Sequence, residues 1–576
     1  MWAVPADRSE AARSSFAAPI SYSMTRRLIE CVPNISEGRD RAKIDAIAAV
    51  VETVEGVRLL DVDPGKATNR TVITFVGEPE NVIEAAYRLI KKAQELIDMR
   101  GHKGEHPRFG ATDVCPLVPI SGVSMEECAA FAKQLGERVG NELKIPVYLY
   151  EYAASEEKRR NLANNRSGEY EGLPKKLTDP AWKPDFGPAA FTDGVARSGA
   201  IAIGARNFLV AYNVNLNSTS TRRANAIAFD IREAGRKVKQ ADGTEVQEPG
   251  KLKAVKGIGW YIEEYGIAQL SLNLTDITLT PVHVAFDEAC KAAEARGIRV
   301  TGSELVGLIP KQSLLDAADF YLTRQERSLG ISEREKIKIA VKSLGLDDLG
   351  PFDPQKKVIE YMLEEPNAER LVRMDLKRFS EETAGESPAP GGGSVAAYVG
   401  ALGVSLGAMV ANLSAHKRGW DDRWKEFSDW AVVGEKLRNE LLYLVDEDTR
   451  AFDRIMAAMG LPKGSDAEKA ARKAAMTEAT KGAILTPLRT MEVCVESMGL
   501  MKAMAEKGLP ASVSDAGVGA LCARTGALGG YLNVRINCAG LDDVAFKTDV
   551  LAKAEALKAQ ADALEAEVMA LTLAKV

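Results

Sequence analysis

Residues 113–153 read DVCPLVPISGVSMEECAAFAKQLGERVGNELKIPVYLYEYA. DVCPLVPIS is a strand-like run that stops at Gly122, and PVYLYEYA is a second such run. Between them Ser124 and Glu127 stand three residues apart, the spacing of a reciprocal N-terminal cap. The segment MEECAAFAKQLGERVGNEL that follows carries helical periodicity. A strand, a capped helix and a strand in succession predict a sheet covered by helices.

The flanks extend the pattern. Upstream, RLIECVPNIS reads as a strand, DRAKIDAIAAVVETV as a helix, VRLLDVD and RTVITFVGE as strands, and NVIEAAYRLIKKAQELIDM as a helix. Strands that follow one another directly do not require parallel winding, so the expectation is an α+β layer with helices on one face. Downstream, NFLVAYNVNLN, the helix TRRANAIAFDIREAG, the strand pair LKAVKGIGWYIEE and IAQLSLNLTD, the helix PVHVAFDEACKAAEARG and the strand IRVTGSELVGLIP form a second set of similar order. Ala268, Leu270, Leu272 and Leu274 alternate as one face of a strand should. Around Pro351, Pro354 and Pro366 the pattern breaks. Beyond residue 372 strand signals nearly vanish, which predicts an all-α domain to the end.

The composition supports this reading. At roughly 150 residues per domain, 576 residues suggest about three or four domains. Hydrophobic residues are 46%, with 48 Gly and 24 Pro, which excludes a disordered, collagen-like or coiled-coil chain. The 75 Lys and Arg against 81 Asp and Glu leave a net charge of −6, too acidic for nucleic acid as the main partner. Seven scattered cysteines without a CxxC pair suit a reducing compartment, with neither a disulfide framework nor a structural zinc. Residues 1–23 hold no apolar run of signal-peptide length; Met24 is the expected natural start and the segment before it a disordered extension. Residues 395–415 carry no charge and contain Gly403 and Gly407 in a GxxxG, but their many small residues favour a buried helix over a membrane span.

Four segments could carry chemistry. The loop GHKGEHPRFGATDV, 101–114, holds His102 and His106, half of the four histidines, with Lys103, Arg108 and Asp113. Gly104 and Pro107 oppose the helix that an i,i+4 metal pair needs, so a base and a carboxylate-binding guanidinium are the expected roles, against a plain surface loop. In LLDVDPGKATNRT, 59–71, Asp61 and Asp63 end a strand ahead of Arg70; they cap or solvate a turn, or orient a histidine. In APGGGSVAA, 389–397, three glycines before a helix leave backbone N–H groups open to an anion, or make an interdomain turn. In LLYLVDEDTRAFDRIMAAM, 441–459, Leu441, Leu444, Val445, Phe452, Ile455 and Met459 form an apolar stripe with Asp448 in its midst, while Asp446, Glu447, Arg450 and Asp453 point away. Asp448 there is either a proton-transfer group or the partner of an arginine such as Arg489.

With these residues in hand, the chain resembles the bifunctional formimidoyltransferase-cyclodeaminases of histidine degradation. Its first half looks like glutamate formimidoyltransferase through ECVPNISEG, LLDVDPG, TNRTVITFVG, GEHPRFGATDVCPLVP, IPVYLYEYA, GEYEGLPKK, WKPDFGP, GIGWYIEE and LVGLIP. Its second half is similar to formimidoyltetrahydrofolate cyclodeaminase through SPAPGGGSVAA, LVDEDTRAFDRIMAAMGLPK and LGGYLNVRINC. The motifs run in the family's order over nearly the whole chain from Met24.

The resemblance implies two ferredoxin-like sheet-and-helix subdomains at 24–208 and 209–363, a linker at 364–371 and a helical cyclodeaminase domain at 372–576. His106 matches the transferase base and Asp63 a carboxylate near it; Arg70 and Arg108 are our inferred clamps for substrate carboxylates. Gly187, Pro188, Ala189, Ala190, Phe191, Thr192, Asp193 and Gly194 match a folate-contacting loop. Asp448 matches the cyclodeaminase catalytic residue. Gly391, Gly392 and Gly393, with Ala474 by count from LPK, are expected folate contacts. Tetrahydrofolate, polyglutamylated, is the implied co-substrate, without a metal. The resemblance further implies a cytoplasmic, ring-like homo-oligomer. Two other functions stay open: a transferase whose helical half only assembles, and a folate-binding protein without turnover. A formyl-folate cyclising activity is a third.

Overall fold

The computed structural model describes residues 27–65, 69–104, 107–240, 242–363, 371–387 and 389–576. The expectations about residues 1–23, and about His106, lie outside the described residues. Contacts divide the chain into two compact units. The first reaches Val300 and includes Leu305–Pro310 and Lys356–Leu363; the second takes Thr301–Glu304, Lys311–Gln355 and the helices that run to Val576.

In the first unit a seven-stranded sheet is built from β1 (Leu28–Cys31), β2 (Asn34–Ile35), β3 (Arg58–Gly65), β4 (Arg70–Gly77), β5 (Thr112–Ser121), β6 (Val147–Glu151) and β7 (Ile201–Ala205). β1 and β2 both lie between β4 and β5, and β3 pairs with the outer edge of β4, all antiparallel. β7 enters between β5 and β6 and pairs parallel to both. The expected cap is present: Ser124 Oγ accepts from the Glu127 N–H at 3.1 Å, and Glu127 Oε2 accepts from the Ser124 N–H at 2.8 Å. It opens the helix Met125–Arg138, which packs with Pro79–Leu96 on one face of the sheet over Ile29, Phe75, Leu117, Leu149 and Ile203.

The opposite face is not bare. Alternation along β6 turns Tyr148 and Tyr150 away from that core into a second one with Phe109, Leu173, Leu177 and Ala202. Short helices between Glu157 and Thr178 cover it. Helices on one face thus holds for the long helices, while the short ones shield the tyrosines on the other.

A second sheet in this unit has β8 (Val210–Leu216) beside two later strands. Between them lies a hairpin, β9 (Arg236–Lys239) with β10 (Glu245–Glu248), whose charged and largely exposed residues hide it from any periodicity argument. The later strands are β11 (Val255–Ile262) and β12 (Ile267–Leu274), in the order β11–β12–β8 and antiparallel. The alternating Ala268, Leu270, Leu272 and Leu274 are all fully buried. The glycines of GIGWYIEE serve packing: a Cβ on Gly259 would stand 2.6 Å from Ala224 Cβ, so the helix Thr221–Ile231 can lie directly on β11.

The second unit is helical, as expected from 372 onward. Its five long helices are Gly392–Ala415, Trp424–Met459, Asp466–Lys507, Val513–Cys538 and Val544–Leu573. Helices Lys311–Arg324 and Glu333–Leu344 also belong to it. The loop between them docks through the Asn412 Nδ2 bond to Gly330 O at 2.8 Å and the Leu329 N–H bond to Ser428 Oγ at 3.0 Å. Gly392–Ala415 is long and apolar enough to cross a membrane, yet most of it is buried among its neighbours. A Cβ on Gly403 would meet Gly519 O at 2.6 Å, and one on Gly407 would meet Leu500 Cδ2 at 2.9 Å, so the GxxxG serves helix packing. One helix of this kind, buried in a core, does not mark a membrane protein.

Candidate active sites

In the first unit a cleft of about 1090 Å³ opens along the sheet, and Glu30, Asp61, Asp63, Arg70, Pro107, Tyr150, Arg166 and Arg206 are among the residues lining it. Asp63 and Arg70 reach it from paired strands, Asp63 opposite Val72 and Arg70 opposite Gly65. Burial, then the charge of Asp63, pushes the Asp61 carboxyl up. Burial lowers the Arg70 guanidinium to about 10, opposed by the charge of Asp113 and aided by Arg166. Asp113 is fully buried, accepts from the Phe109 N–H at 3.0 Å and pairs with Arg166. The pair holds the backbone at Phe109. Neither Arg166 nor Glu30 is singled out by the sequence analysis; the sheet and the short helices put them in the cleft.

Arg108 occupies a neighbouring pocket of about 470 Å³ with Lys103, Gly104, Glu169 and Glu171. Its guanidinium is paired with the protein's own carboxylates, at 3.1 Å to Glu169 and 2.8 Å to Glu171. Its Nε donates to His102 Nδ1 at 3.3 Å, which leaves His102 Nε2–H to donate to Asn69 O at 2.9 Å. Burial lowers the His102 pKa, so this histidine is a neutral strut. The expected free clamp is therefore a filled one, because the first turn of Glu169–Thr178 delivers two acids to it.

The expected folate loop divides in two. Gly187 takes a φ of 82°, and a Cβ there would stand 3.3 Å from Gly140 Cα, so backbone packing alone accounts for glycine. Pro188, Ala189 and Ala190 lead from it to Phe191, whose ring lies 6.3 Å from that of Tyr170, the residue between the two acids that hold Arg108. Thr192 caps the short helix Asp193–Ser198, which begins with Asp193 and Gly194. The distal half of the loop thus sits beside the Arg108 pocket, and Gly187 does not.

In the second unit Asp448 lies at the N-terminus of the helix Gly392–Ala415. Its Oδ2 accepts from the Ser394 N–H at 2.9 Å and lies 3.1 Å from Ser394 Oγ. Gly391 is the N-cap; Gly393 is buried against Asp448, and a Cβ on Gly392 would stand 3.4 Å from Asn533 Nδ2. Burial raises the Asp448 carboxyl above the usual aspartate range, against the pull of Ser394. Three separate motifs meet here: the glycine run, Asp448, and Asn533 from LGGYLNVRINC. Neither Ser394 nor Asn533 stood out in the sequence.

Two expectations for this helix are corrected. Asp446 is 7% exposed and does not point away, because neighbouring helices cover more than one face of Trp424–Met459. The stripe is buried only in its first half, with Phe452 at 44% and Met459 at 48% exposure. Arg489 pairs with Glu440 at 2.6 Å and Glu492 at 2.8 Å, so it is not the partner of Asp448. Ala474 is exposed near the start of Asp466–Lys507 and offers no polar side chain. Among the described residues no three His, Cys, Asp or Glu are grouped to hold a metal ion.

Family models match the chain in three consecutive stretches. They are the formiminotransferase domain, N-terminal subdomain, over 28–206, the formiminotransferase domain over 211–364, and formiminotransferase-cyclodeaminase over 375–556. The chain is 46% identical over 525 residues to the formimidoyltransferase-cyclodeaminase of Gallus gallus, covering 91% of this chain and 94% of that one. It belongs to the formimidoyltransferase-cyclodeaminase family. Parts of this family member also match single-function proteins. A glutamate formimidoyltransferase of Thermoplasma acidophilum is 43% identical over 297 residues, 51% of this chain and 92% of its own length. A methenyltetrahydrofolate cyclohydrolase of Methylorubrum extorquens is 40% identical over 201 residues, 35% of this chain and 97% of its own.

Proposed function

We propose that this bifunctional enzyme transfers the formimidoyl group of N-formimidoyl-L-glutamate to tetrahydrofolate and then closes the product to 5,10-methenyl-tetrahydrofolate with loss of ammonia. In the first step N5 attacks the formimidoyl carbon, His106 takes the proton from the attacking nitrogen, and the glutamate nitrogen leaves with a proton returned. Holding both substrates in one cleft supplies much of the rate. In the second step N10 attacks the same carbon, the five-membered ring closes, and Asp448 passes the proton to departing ammonia. Asp448 is the observation that carries the reading: a half-buried carboxyl of raised pKa, held at a helix N-terminus among motifs from three helices.

Arg70 and the distal half of loop 187–194 serve the first site, with Asp63 beside the base, and Gly391–Gly393 the second. The functional division is 24–208 with 209–363 for transfer and 372–576 for ring closure, joined at 364–371. Arg206 and Lys256 in the cleft suit an acidic polyglutamate tail. The exposed Phe452, Met456 and Met459 suit self-association, and seven free cysteines suit the cytoplasm. The test mixes protein, N-formimidoyl-glutamate and tetrahydrofolate and follows glutamate, ammonia and methenyl-folate together. Equal release of all three is expected; no glutamate release sinks the transferase.

A second reading of the helical half is cyclohydrolase, favoured by its similarity to the Methylorubrum protein. Asp448 would then handle the proton as water adds to the methenyl carbon. Hydrolysis of supplied 5,10-methenyl-tetrahydrofolate, without ammonia release from 5-formimidoyl-tetrahydrofolate, would select it.

A further inference from the structure

Glu30 is 4% exposed, yet it lines the transferase cleft from β1. Among the described residues no hydrogen bond reaches its carboxyl, and Arg206 acts on it only as a nearby charge. Buried polar groups are ordinarily hydrogen-bonded, and an unpaired carboxylate in a water-poor site is costly. Burial accordingly pushes the Glu30 carboxyl up to about 7, despite Arg206. Asp61 and Asp63 line the same cleft but are far more open than Glu30 to water, which can hydrogen-bond them. Glu30 is different: its two acceptor oxygens on the floor of an open cleft meet no protein donor among the described residues.

On the same face of the sheet Val32, Val72, Val114 and Pro116 line the cleft, together with the polar Asn34 and Thr74. Such a floor takes one face of a ring that carries a donor edge. The planar pyrimidinone half of the tetrahydrofolate pterin is such a ring, and its N3–H and 2-amino group point the same way, spaced to meet both oxygens of one carboxylate.

We propose that Glu30 receives the N3–H and 2-amino edge of the pterin and so positions the folate co-substrate in the cleft. The inference rests on the transferase reading of this cleft. The formimidoyl group also presents an N–C–N pair of donors, so the test separates the two substrates.

The experiment compares the full chain with Glu30→Gln, an isosteric change that puts an NH₂ donor where an acceptor is needed. In glutamate release the KM for tetrahydrofolate is expected to rise at least about 10-fold, while the KM for N-formimidoyl-glutamate moves less than about 2-fold. Ammonia release from supplied 5-formimidoyl-tetrahydrofolate should not change. A second arm needs no variant: 2-desamino-2-methyl-tetrahydrofolate, which lacks the 2-amino donor, should lose at least about 10-fold in kcat/KM with the unmodified protein. An unchanged KM for tetrahydrofolate in Glu30→Gln, a rise confined to N-formimidoyl-glutamate, or equal use of the analogue each overturns the proposal. Absence of glutamate release from the unmodified protein would instead overturn the transferase reading, and this inference with it.

Discussion

Asp448 fills the space that a side chain on Gly393 would need. A Cβ on Gly393 would lie 2.5 Å from Asp448 Cγ and nearer still to Oδ1, although the two residues are far apart in sequence. The glycine run and the acid are therefore one device: glycine lets the carboxylate reach the Ser394 N–H at the helix N-terminus, where the helix dipole favours it.

Gly393→Ala should accordingly displace Asp448. Ammonia release from 5-formimidoyl-tetrahydrofolate is expected to fall by roughly 100-fold, the cost of misplacing a reacting group by about 1 Å. Glutamate release measured in parallel should be unaffected. Full ammonia release in this variant would show that the close approach is incidental.

Asp448→Asn keeps the shape and removes proton transfer. Ammonia release is expected to drop roughly 100- to 10,000-fold while glutamate continues to appear and 5-formimidoyl-tetrahydrofolate accumulates. Product analysis by chromatography distinguishes this from failed folding, which would also lose the intermediate.

Ser394→Ala removes a hydroxyl that favours ionised Asp448 and leaves the backbone N–H in place. With that pull gone, the Asp448 pKa should rise further. The limb of the pH–rate profile of ammonia release that Asp448 sets is expected to move toward higher pH. A profile that does not move would exclude Asp448 as the group titrating there.

Arg108→Ala removes the cation that two acids share and the hydrogen-bond donor to His102 Nδ1. Because Glu169 and Glu171 are well exposed, the loss of stability should be modest, about 1–2 kcal/mol. Glutamate release should fall with it, and differential scanning calorimetry should show the change. No change in either would make the filled clamp irrelevant.

Glu30 gives the opposite pH dependence from a paired acid. Its folded pKa of about 7 exceeds the unfolded value near 4.5, so the folded state holds the extra proton between them. Stability should therefore decline as pH rises through that window, with the whole penalty present above 7. Glu30→Gln is expected to raise the melting temperature by roughly 5 °C at pH 8 and hardly at all at pH 4. An equal gain at both pH values would mean that Glu30 does not titrate near neutrality.

By itself the sequence determined what local chemistry controls. The Ser124–Glu127 cap, the alternation of Ala268 to Leu274 and the change to helices after residue 372 are written in neighbouring residues, because caps and periodicity act within a few positions. Asp448 was visible as a charge within an apolar stripe. Only the tertiary structure decided which side chains share a site. Ser394, Gly393 and Asn533 meet Asp448 through helix packing, Arg108 is filled by acids from another helix, and Glu30 lacks a partner only because the sheet sets it on the floor of a cleft. Burial and hydrogen-bond satisfaction depend on what packs from distant segments, and no window of sequence contains that information.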